Sequence, residues 1–294
     1  MSDTIAKATN QILELPDINL AAREWGPADG YPLLALHGWL DNSATYEPLI
    51  GDTKWLHDHN LRFIALDLAG HGYSEHRPKG AHSVFLDNID DVHQTIKQLE
   101  LDKPLLLGHS MGGGIATLYA GSGLADLAGL MLIESLGPVS NTPKDAPIQL
   151  AKHLKARHRH AAQEQKLYED ITPIIKLRAE KSKLPEAMVA LILERNMNRH
   201  DNGYTWRSDP RLRIPSASYM THEQIEAFVA NIDCSTFVIY ATDGPWPNYP
   251  ILGERAELLK DKQMVGLTGG HHLHMTNAID VRKALIKYIA NTIR

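Results

Sequence analysis

A serine framed by glycines directly after an apolar run is the feature that most constrains the fold of this chain. Leu105-Leu106-Leu107 is followed by Gly108-His109-Ser110-Met111-Gly112, which spells G-x-S-x-G, and then by a helical stretch over 115–120. This order is typical of a nucleophile elbow, in which the serine sits on a strained turn between a strand and a helix. The residues two before and two after the serine must then be nearly free of side chain, and both are glycine. We interpret Ser110 as a nucleophile; the alternative is an ordinary turn that contains a serine.

A second glycine-containing turn, His37-Gly38-Trp39, follows the apolar run over 33–36. Acyl transfer needs two converging backbone N–H groups that stabilise the oxyanion of the tetrahedral intermediate. We predict that the amides of Trp39 and Met111 form this oxyanion hole. Gly38 lets the loop approach a substrate closely, although a plain strand-end turn would also use glycine here.

Several residues in or near these turns are predicted to contact the substrate. They are His37, Gly38, Asp41, Asn42 and His109. For Asp41 and Asn42 the alternative role is to cap the helix that follows.

The histidine-rich loop Gly269-Gly270-His271-His272-Leu273-His274 follows the apolar run over 263–267. It lies at the sheet edge expected for Ser110, and we predict that His271 is the base that accepts the Ser110 proton. His272 and His274 then support the loop or line the pocket. A metal site is not expected, because no nearby carboxylate or cysteine completes a ligand set.

Composition excludes several classes of function. The chain has 294 residues, of which 43% are hydrophobic and 22% charged, and this is typical of a soluble protein with one large domain or a domain with an insertion. No apolar stretch approaches about 18 residues, and the amino terminus lacks a signal-peptide core, so we expect a cytoplasmic protein with no membrane partner. A net charge of −5 argues against nucleic acid. Cys234 precedes a predicted strand and is expected to pack.

Short apolar runs alternate with amphipathic segments, which predicts an α/β fold. The first two strands read as an antiparallel pair and the others as parallel with right-handed crossovers. Predicted strands lie at 11–15, 19–25, 33–36, 63–67, 104–107, 129–133, 236–241 and 263–267, and the clearest helices at 87–99 and 281–292.

One long connection interrupts this alternation and is interpreted as an inserted helical cap. No strand is evident between 137 and 227, whereas helices are predicted at 148–169 and 185–197. The predicted division is a core of 1–137 and 228–294 and a cap of 138–227. The cap carries 15 Lys and Arg against 11 Asp and Glu, so its charge is +4 and that of the rest is −9. A basic lid for an anionic substrate is one interpretation; the favoured one is that opposite charges help the cap sit on its core.

Together these motifs resemble those of the α/β-hydrolases. The resemblance rests on His37-Gly38-Trp39, Asp67-Leu68-Ala69-Gly70-His71-Gly72-Tyr73-Ser74, the elbow and the loop before His271. Within that superfamily, Ile133-Glu134-Ser135-Leu136-Gly137-Pro138 and Asp209-Pro210-Arg211-Leu212 are similar to the serine hydrolase-like proteins. The resemblance implies a mostly parallel eight-stranded sheet with helices on both faces, a helical cap after the sixth strand, and a broad esterase-type activity without a cofactor.

The resemblance places the catalytic acid after the seventh strand, where this chain has Ala241-Thr242-Asp243-Gly244. By register the expected aspartate position holds Gly244, and Asp243 is one residue early. Glu134, at the end of the sixth strand, is the alternative, since some relatives take their acid from there. We favour Glu134 and keep Asp243 as the second candidate.

The function predicted from the sequence is cleavage of a small carboxylic ester by a Ser-His-acid triad through an acyl-serine intermediate. A carbon–carbon bond hydrolase, a thioesterase or an amidase on the same scaffold are alternatives. A ligand receptor with very slow turnover is an alternative of another class, because fold alone does not define function.

Overall fold

An eight-stranded sheet forms the centre of the computed structural model, which describes residues 7–81, 85–124, 126–161, 166–244 and 246–293. The described strands are β1 (Thr9–Glu14), β2 (Asn19–Trp25), β3 (Tyr31–Leu36), β4 (Leu61–Leu66), β5 (Leu105–His109), β6 (Gly129–Ile133), β7 (Met197–His200), β8 (Gly203–Trp206), β9 (Ser235–Ala241) and β10 (Lys262–Leu267). The sheet order is β1-β2-β4-β3-β5-β6-β9-β10. β1 and β2 pair antiparallel, β2 is antiparallel to β4, and the remaining neighbours are parallel. The predicted sheet is thereby confirmed.

Helices cover both faces of this sheet. The described helices are α1 (Glu47–Ile50), α2 (Lys54–Asp58), α3 (Asp87–Gln98), α4 (Met111–Gly121), α5 (Ala146–Ala161), α6 (Thr172–Ser182), α7 (Glu186–Asn196), α8 (His222–Ala230), α9 (Pro250–Glu257), α10 (Leu273–Thr276) and α11 (Ala278–Thr292). No described helix combines the length and the apolar character that crossing a membrane requires.

The central strands are apolar along their whole length because both of their faces are buried. Leu34, Leu36 and Leu106 belong to the core cluster on one face of the sheet. Leu33 and Leu105 belong to the cluster on the other face, since successive side chains of a strand point to opposite sides. The sheet therefore acts as a rigid platform for the loops that follow its strands.

The register brings the ends of β3, β5 and β6 to one edge. Leu36 pairs with Gly108, and His109 pairs with Ile133. The residues that follow these strands, among them Ser110 and Glu134, therefore emerge side by side.

The segment between β6 and β9 departs from the prediction in two places. It contains a hairpin, β7–β8, which the sequence analysis missed although Asp201-Asn202-Gly203 is a turn signal. The helix predicted over 148–169 ends at Ala161; residues 162–165 lie outside the described part of the chain, and Tyr168 bridges to Tyr204.

The predicted boundary at 227 falls inside α8. Ile225 and Val229 of this helix are buried in the same core cluster as Ile115 of α4. The division into core and cap stays a prediction, but α8 packs against α4 and therefore belongs with the predicted core.

Candidate active site

Ser110 is held on a sharp turn between β5 and α4. Its backbone has φ 51° and ψ −116°, a conformation that L-residues rarely adopt and that costs on the order of 1–3 kcal/mol. The Ser110 N–H donates to the Ile133 carbonyl at 3.0 Å, and the Ser110 carbonyl accepts from Gly114 N–H at 3.0 Å. These bonds fix the turn while the side chain stays half-buried and accessible.

The two glycines of the motif have no room for a side chain. A Cβ at Gly108 would lie 2.5 Å from the Gly112 carbonyl oxygen, and a Cβ at Gly112 would lie 2.2 Å from the Leu36 carbonyl oxygen. The expectation that both positions must be bare is confirmed. Because Gly112 touches the backbone at Leu36, the first turn of α4 lies directly beside the loop that begins at His37.

His271 lies between Ser110 and Glu134. Its Nε2 is 2.9 Å from Ser110 Oγ, and its Nδ1 is 3.4 Å from Glu134 Oε2. The Glu134 side chain has no solvent exposure, whereas that of His271 is 34% exposed. Oε1 of Glu134 accepts a hydrogen bond from Ala241 N–H at 2.6 Å, which fixes the carboxylate. The arrangement suits a base that is accessible to substrate and is oriented by a buried acid.

Asp243, the second candidate for the acid, is exposed, and its backbone N–H donates to the Gly269 carbonyl. Gly244 lies closer to the site: a Cβ at this position would be 2.6 Å from Oε2 of Glu134. The carboxylate next to His271 therefore comes from Glu134, the residue directly after β6.

The loop after β3 forms a turn in which Asp41 N–H donates to the Gly38 carbonyl at 3.1 Å. Leu40, inside this turn, has φ 60°, and its N–H donates to His71 Nε2 at 3.2 Å. The Leu40 amide is thus occupied. Trp39 precedes it, and its side chain is 53% exposed.

Met111 is the first residue of α4. The helix supplies no acceptor for its N–H, because the first turn of a helix leaves its amides unpaired. An amide in this position, next to Ser110, can donate to an oxyanion.

His37 and His71 are structural supports of this loop. Both are fully buried, and burial lowers the pKa of each imidazole, for His71 to about 3. His37 Nε2 accepts from Leu68 N–H at 3.0 Å, so its Nδ1–H donates to the Gly38 carbonyl at 2.8 Å. Both nitrogens of His37 are thus bonded to backbone, and its contact with substrate stays a prediction.

Asn42 also has its polar atoms occupied inside the protein. It is fully buried, its Oδ1 accepts from Ala44 N–H at 2.9 Å, and its Nδ2 donates to the Ile192 carbonyl at 2.8 Å. The capping alternative holds for this residue, because Asn42 caps the short 3₁₀ turn that follows. It also fastens α7 to the loop, and its contact with substrate stays a prediction.

Asp41 is buried in an ion pair with α6. Its Oδ1 lies 2.5 Å from Arg178 Nη2 on α6, and its Oδ2 lies 3.3 Å from His272 Nε2. Burial raises the pKa of this carboxyl, but His272 and Arg178 lower it more, to about 2. Asp41 therefore joins the cap to the histidine loop. The sequence analysis missed Arg178, since nothing local marks one of many cap cations.

His109 supports the loop that carries the predicted base. It is fully buried, and its Nε2–H donates to the His271 carbonyl at 2.8 Å. Burial and the neighbouring histidines lower its pKa far below the ordinary value, so the ring is neutral. This bond gives His109 a positioning role, and its contact with substrate stays a prediction. A Cβ on Gly38 would lie 3.0 Å from His109 Nδ1, so the packing of this histidine requires a glycine at position 38.

Four histidine rings lie together under the site. The His109 ring centroid is 4.9 Å from that of His271, 5.2 Å from that of His272 and 4.2 Å from that of His274. His274 Nε2 lies 2.8 Å from Thr45 Oγ1, and burial lowers its pKa to about 3. In the described part of the chain, no three His, Cys, Asp or Glu side chains are placed to hold a metal ion. His274 is thus a support of the loop.

Cys234 is partly buried. Burial raises the pKa of its thiol to about 11, so the thiolate is a negligible fraction near neutral pH.

Further hydrogen bonds fasten the segment between β6 and β9 to the loop after β3. Trp39 Nε1–H donates to the Leu212 carbonyl at 2.9 Å, and Asn196 Nδ2–H donates to the Leu40 carbonyl at 3.0 Å. Nearby, the Arg195 guanidinium of α7 lies 2.7 Å from the buried carboxylate of Asp67. The segment between β6 and β9 is therefore attached to the loop that the sequence predicts to supply an oxyanion-hole amide.

Comparison with known proteins identifies the family. A family model described as serine aminopeptidase, S33, matches residues 32–249. The chain belongs to this family of α/β-hydrolases. The hydrolase is 25% identical to the serine hydrolase-like protein of Danio rerio, over 97% of its own length and 90% of that relative.

Two further likenesses cover nearly the whole hydrolase. It is 28% identical to a probable serine hydrolase of Drosophila melanogaster, over 94% of its own length and 86% of the relative. Its structure is similar to the crystal structure of a hypothetical protein from Pseudomonas aeruginosa, with a TM-score of 0.87, 33% identity, and coverage of 96% and 99% of the two chains. The predicted α/β-hydrolase fold is confirmed.

Proposed function

We propose that this hydrolase cleaves small carboxylic esters through an acyl-serine intermediate, with Ser110 as nucleophile, His271 as general base and Glu134 as the acid that orients the base. The observation that carries the proposal is the continuous line of contacts from Ser110 Oγ to His271 Nε2, at 2.9 Å, and from His271 Nδ1 to the buried Glu134 carboxylate, at 3.4 Å. The names of the relatives, which refer to serine hydrolases, agree with it.

In the first half of the reaction, Ser110 Oγ attacks the ester carbonyl carbon while His271 Nε2 accepts the hydroxyl proton. This requires the tautomer of His271 in which Nδ1 carries the proton. The Glu134 carboxylate favours that tautomer, because only Nδ1–H can donate to it, and it stabilises the imidazolium that forms. The tetrahedral intermediate then collapses, the alcohol leaves with the proton from Nε2, and the acyl group stays on Ser110.

The negative oxygen of the intermediate needs donors that do not have to reorganise. We assign them to the Met111 amide at the start of α4 and the Trp39 amide in the turn after β3. His37 and His71 keep that turn in place through their bonds to Gly38 and Leu40. In the second half, water replaces the alcohol, and the same groups release the acid.

An ester is favoured over an amide by the chemistry of the leaving group. An alkoxide leaves more readily than an amide nitrogen, so transfer of the proton from His271 is sufficient to release the alcohol from the tetrahedral intermediate. We assign the pocket walls to the exposed Trp39 and to the cap residues bonded to its loop, Leu212 and Asn196.

The test combines covalent labelling with turnover. The purified protein is treated with a fluorophosphonate probe and is assayed on a panel of aryl esters, alkyl esters, thioesters and amides. We expect labelling on Ser110 and turnover of esters; Ser110→Ala and His271→Ala should each lose about 10⁴-fold or more in kcat, because triad members act as a unit. His272→Ala should retain most of the rate.

Other outcomes would contradict parts of the proposal. Preferential turnover of thioesters or amides would overturn the assignment to esters while leaving the triad in place. A wild-type protein that is unlabelled and inactive but binds a small molecule would favour the receptor alternative. A dead His272→Ala variant beside an active His271→Ala variant would move the base by one position.

A further inference from the structure

Helix α5 of the cap buries polar side chains and exposes apolar ones, which is the reverse of an ordinary surface helix. Its buried side chains are polar: Gln149 Nε2–H donates to the Ser216 carbonyl at 2.6 Å, and His153 Nδ1–H donates to the Pro215 carbonyl at 2.8 Å. Its large apolar side chains point outward instead, with Ile148 58% exposed and Leu154 42% exposed. A surface helix normally buries its apolar stripe and exposes its polar one. This helix therefore presents apolar area that the described chain does not cover.

Cations lie beside these apolar residues on the same outward side. Lys152, Lys155 and Arg159 are exposed and follow one another at intervals of three and four residues, so they form a stripe along the helix. We call the outward side the α5 face; it comprises Ile148, Leu150, Lys152, Leu154, Lys155 and Arg159.

The positive charge of the cap is concentrated in this helix. Residues 146–161 contain two Lys and two Arg and no Asp or Glu, which is a charge of +4. The net charge of the chain is −5, so the other residues together carry −9. The cap as a whole carries the same +4, which means that outside α5 its charges cancel. The net charge of the cap therefore equals that of the helix with the exposed apolar side chains, and general attraction between cap and core does not explain this coincidence.

We propose that the α5 face binds the surface of an anionic lipid bilayer. A basic helix with one apolar side lies in the plane of such a surface, with its apolar side chains in the headgroup boundary and its cations against lipid phosphates. The prediction of no membrane partner was based on the lack of a spanning segment. A helix that lies on a bilayer needs only one apolar face.

Two other occupants fit the structure less well. In a symmetric dimer the same surface faces itself, so two α5 faces would oppose each other with +4 each. An acidic protein that surrounds a basic helix would need access to all its sides. The bonds of Gln149 and His153 to Ser216 and Pro215 keep one side of α5 on the cap, and a flat surface suits the side that remains.

The position of α5 connects this surface to the candidate active site. The helix packs against the 3₁₀ turn Pro210–Arg213, and the Leu212 carbonyl in that turn accepts the Trp39 indole N–H. Adsorption through the α5 face would therefore bring the mouth of the site near a lipid surface.

The experiment measures flotation of the full-length Ser110→Ala protein with phosphatidylcholine vesicles, with and without phosphatidylglycerol. The Ser110→Ala background removes hydrolysis from the measurement, so the result does not depend on the proposed ester activity. We expect binding only to the anionic vesicles, and weaker binding in about 0.5 M NaCl because salt screens the attraction. The variant Leu154→Ser/Lys155→Gln should bind about tenfold more weakly or worse, since each cation contributes roughly fivefold.

The matched control is Ile279→Ser/Lys287→Gln on α11, where Ile279 is 65% exposed and Lys287 is exposed. It should bind like the parent. In the wild-type background, the α5 variant should hydrolyse a short water-soluble aryl ester at the normal rate.

Four results would overturn the proposal. The first is a lack of binding to anionic vesicles, and the second is equal binding to anionic and neutral vesicles. The third is an equal loss of vesicle binding in the α5 variant and in its α11 control. The fourth is normal vesicle binding by the α5 variant together with a raised KM for long-chain soluble esters. The last result would make the α5 face a wall of the substrate pocket. Concentration-dependent dimers that Leu154→Ser abolishes, without vesicle binding, would assign the face to a second copy.

Discussion

The carboxylate of Glu134 fills the space beside Gly244. A Cβ at Gly244 would lie 2.6 Å from Oε2 of Glu134, and that oxygen lies 3.4 Å from Nδ1 of His271. β6 and β9 are neighbours in the sheet, with Ile133 paired to Ile239, so a side chain from the end of either strand can reach the same place. In this chain, the glutamate side chain of Glu134, which is longer than that of an aspartate, occupies the position next to His271. Gly244 has no side chain and leaves room for it.

Glu134→Gln should lower kcat by roughly 10⁴-fold, whereas Asp243→Asn should have little effect. The amide keeps the size of the carboxylate but favours the wrong tautomer of His271, and the corresponding change in a serine protease has about this cost. Steady-state kinetics on an aryl ester measure both variants. The reverse order of damage would transfer the acid to Asp243.

Gly244→Ala should lower kcat by about tenfold or more without preventing folding. Its Cβ would press on the Glu134 carboxylate and would lie 2.7 Å from the Ala241 Cβ, so the acid must move away from His271. Gly253→Ala is the matched control, because a Cβ there has open space and alanine favours the helix. Equal rates for the two variants would argue against a tightly packed acid.

How far the sequence predicts this site depends on whether its geometry is local. Ser110 follows from a strand, a turn and a helix that are adjacent in the chain, and Gly108 and Gly112 are bare for the reason given by the motif. The choice between Glu134 and Asp243 could not be made from the sequence. Those two positions are more than 100 residues apart, and which of them reaches His271 depends on side-chain length across two paired strands.

The predicted substrate contacts show the same limit. His37, Asn42 and His109 each have one polar atom bonded to a backbone group of a distant segment. Such partners cannot be read from spacing. The hairpin β7–β8 was missed for another reason, since its strands have four residues each and carry little apolar alternation.

His109 should act as a positioning residue for the base. Its Nε2–H bond to the His271 carbonyl holds the histidine loop, so His109→Phe should lower kcat and the rate of fluorophosphonate labelling by about tenfold or more, while KM changes less. His109→Gln retains an N–H donor and should recover part of the loss. If the two variants are equally impaired although both unfold at the wild-type temperature, the bond does not position the base.

Stability should fall steeply as the pH drops below about 6.5, the ordinary pKa of histidine. Burial lowers the pKa of His71 and His274 to about 3, and it lowers those of His37 and His109 as well. In this window the unfolded chain binds protons on these rings and the folded protein does not, so acid favours unfolding. His71 and His274 should each remove about 1.4 kcal/mol of the free energy of unfolding between about pH 7.5 and about pH 5.5, and His37 and His109 act in the same direction.

Urea unfolding at the two pH values measures this dependence. His71→Gln removes one of the titrating rings, so the variant should start less stable at the higher pH but lose less on acidification than the wild type. The His71 bond to Leu40 N–H explains the initial loss, since the turn beside the site would lose an acceptor. Equal free energies of unfolding at both pH values in the wild type would show that these histidines are not buried in the neutral form.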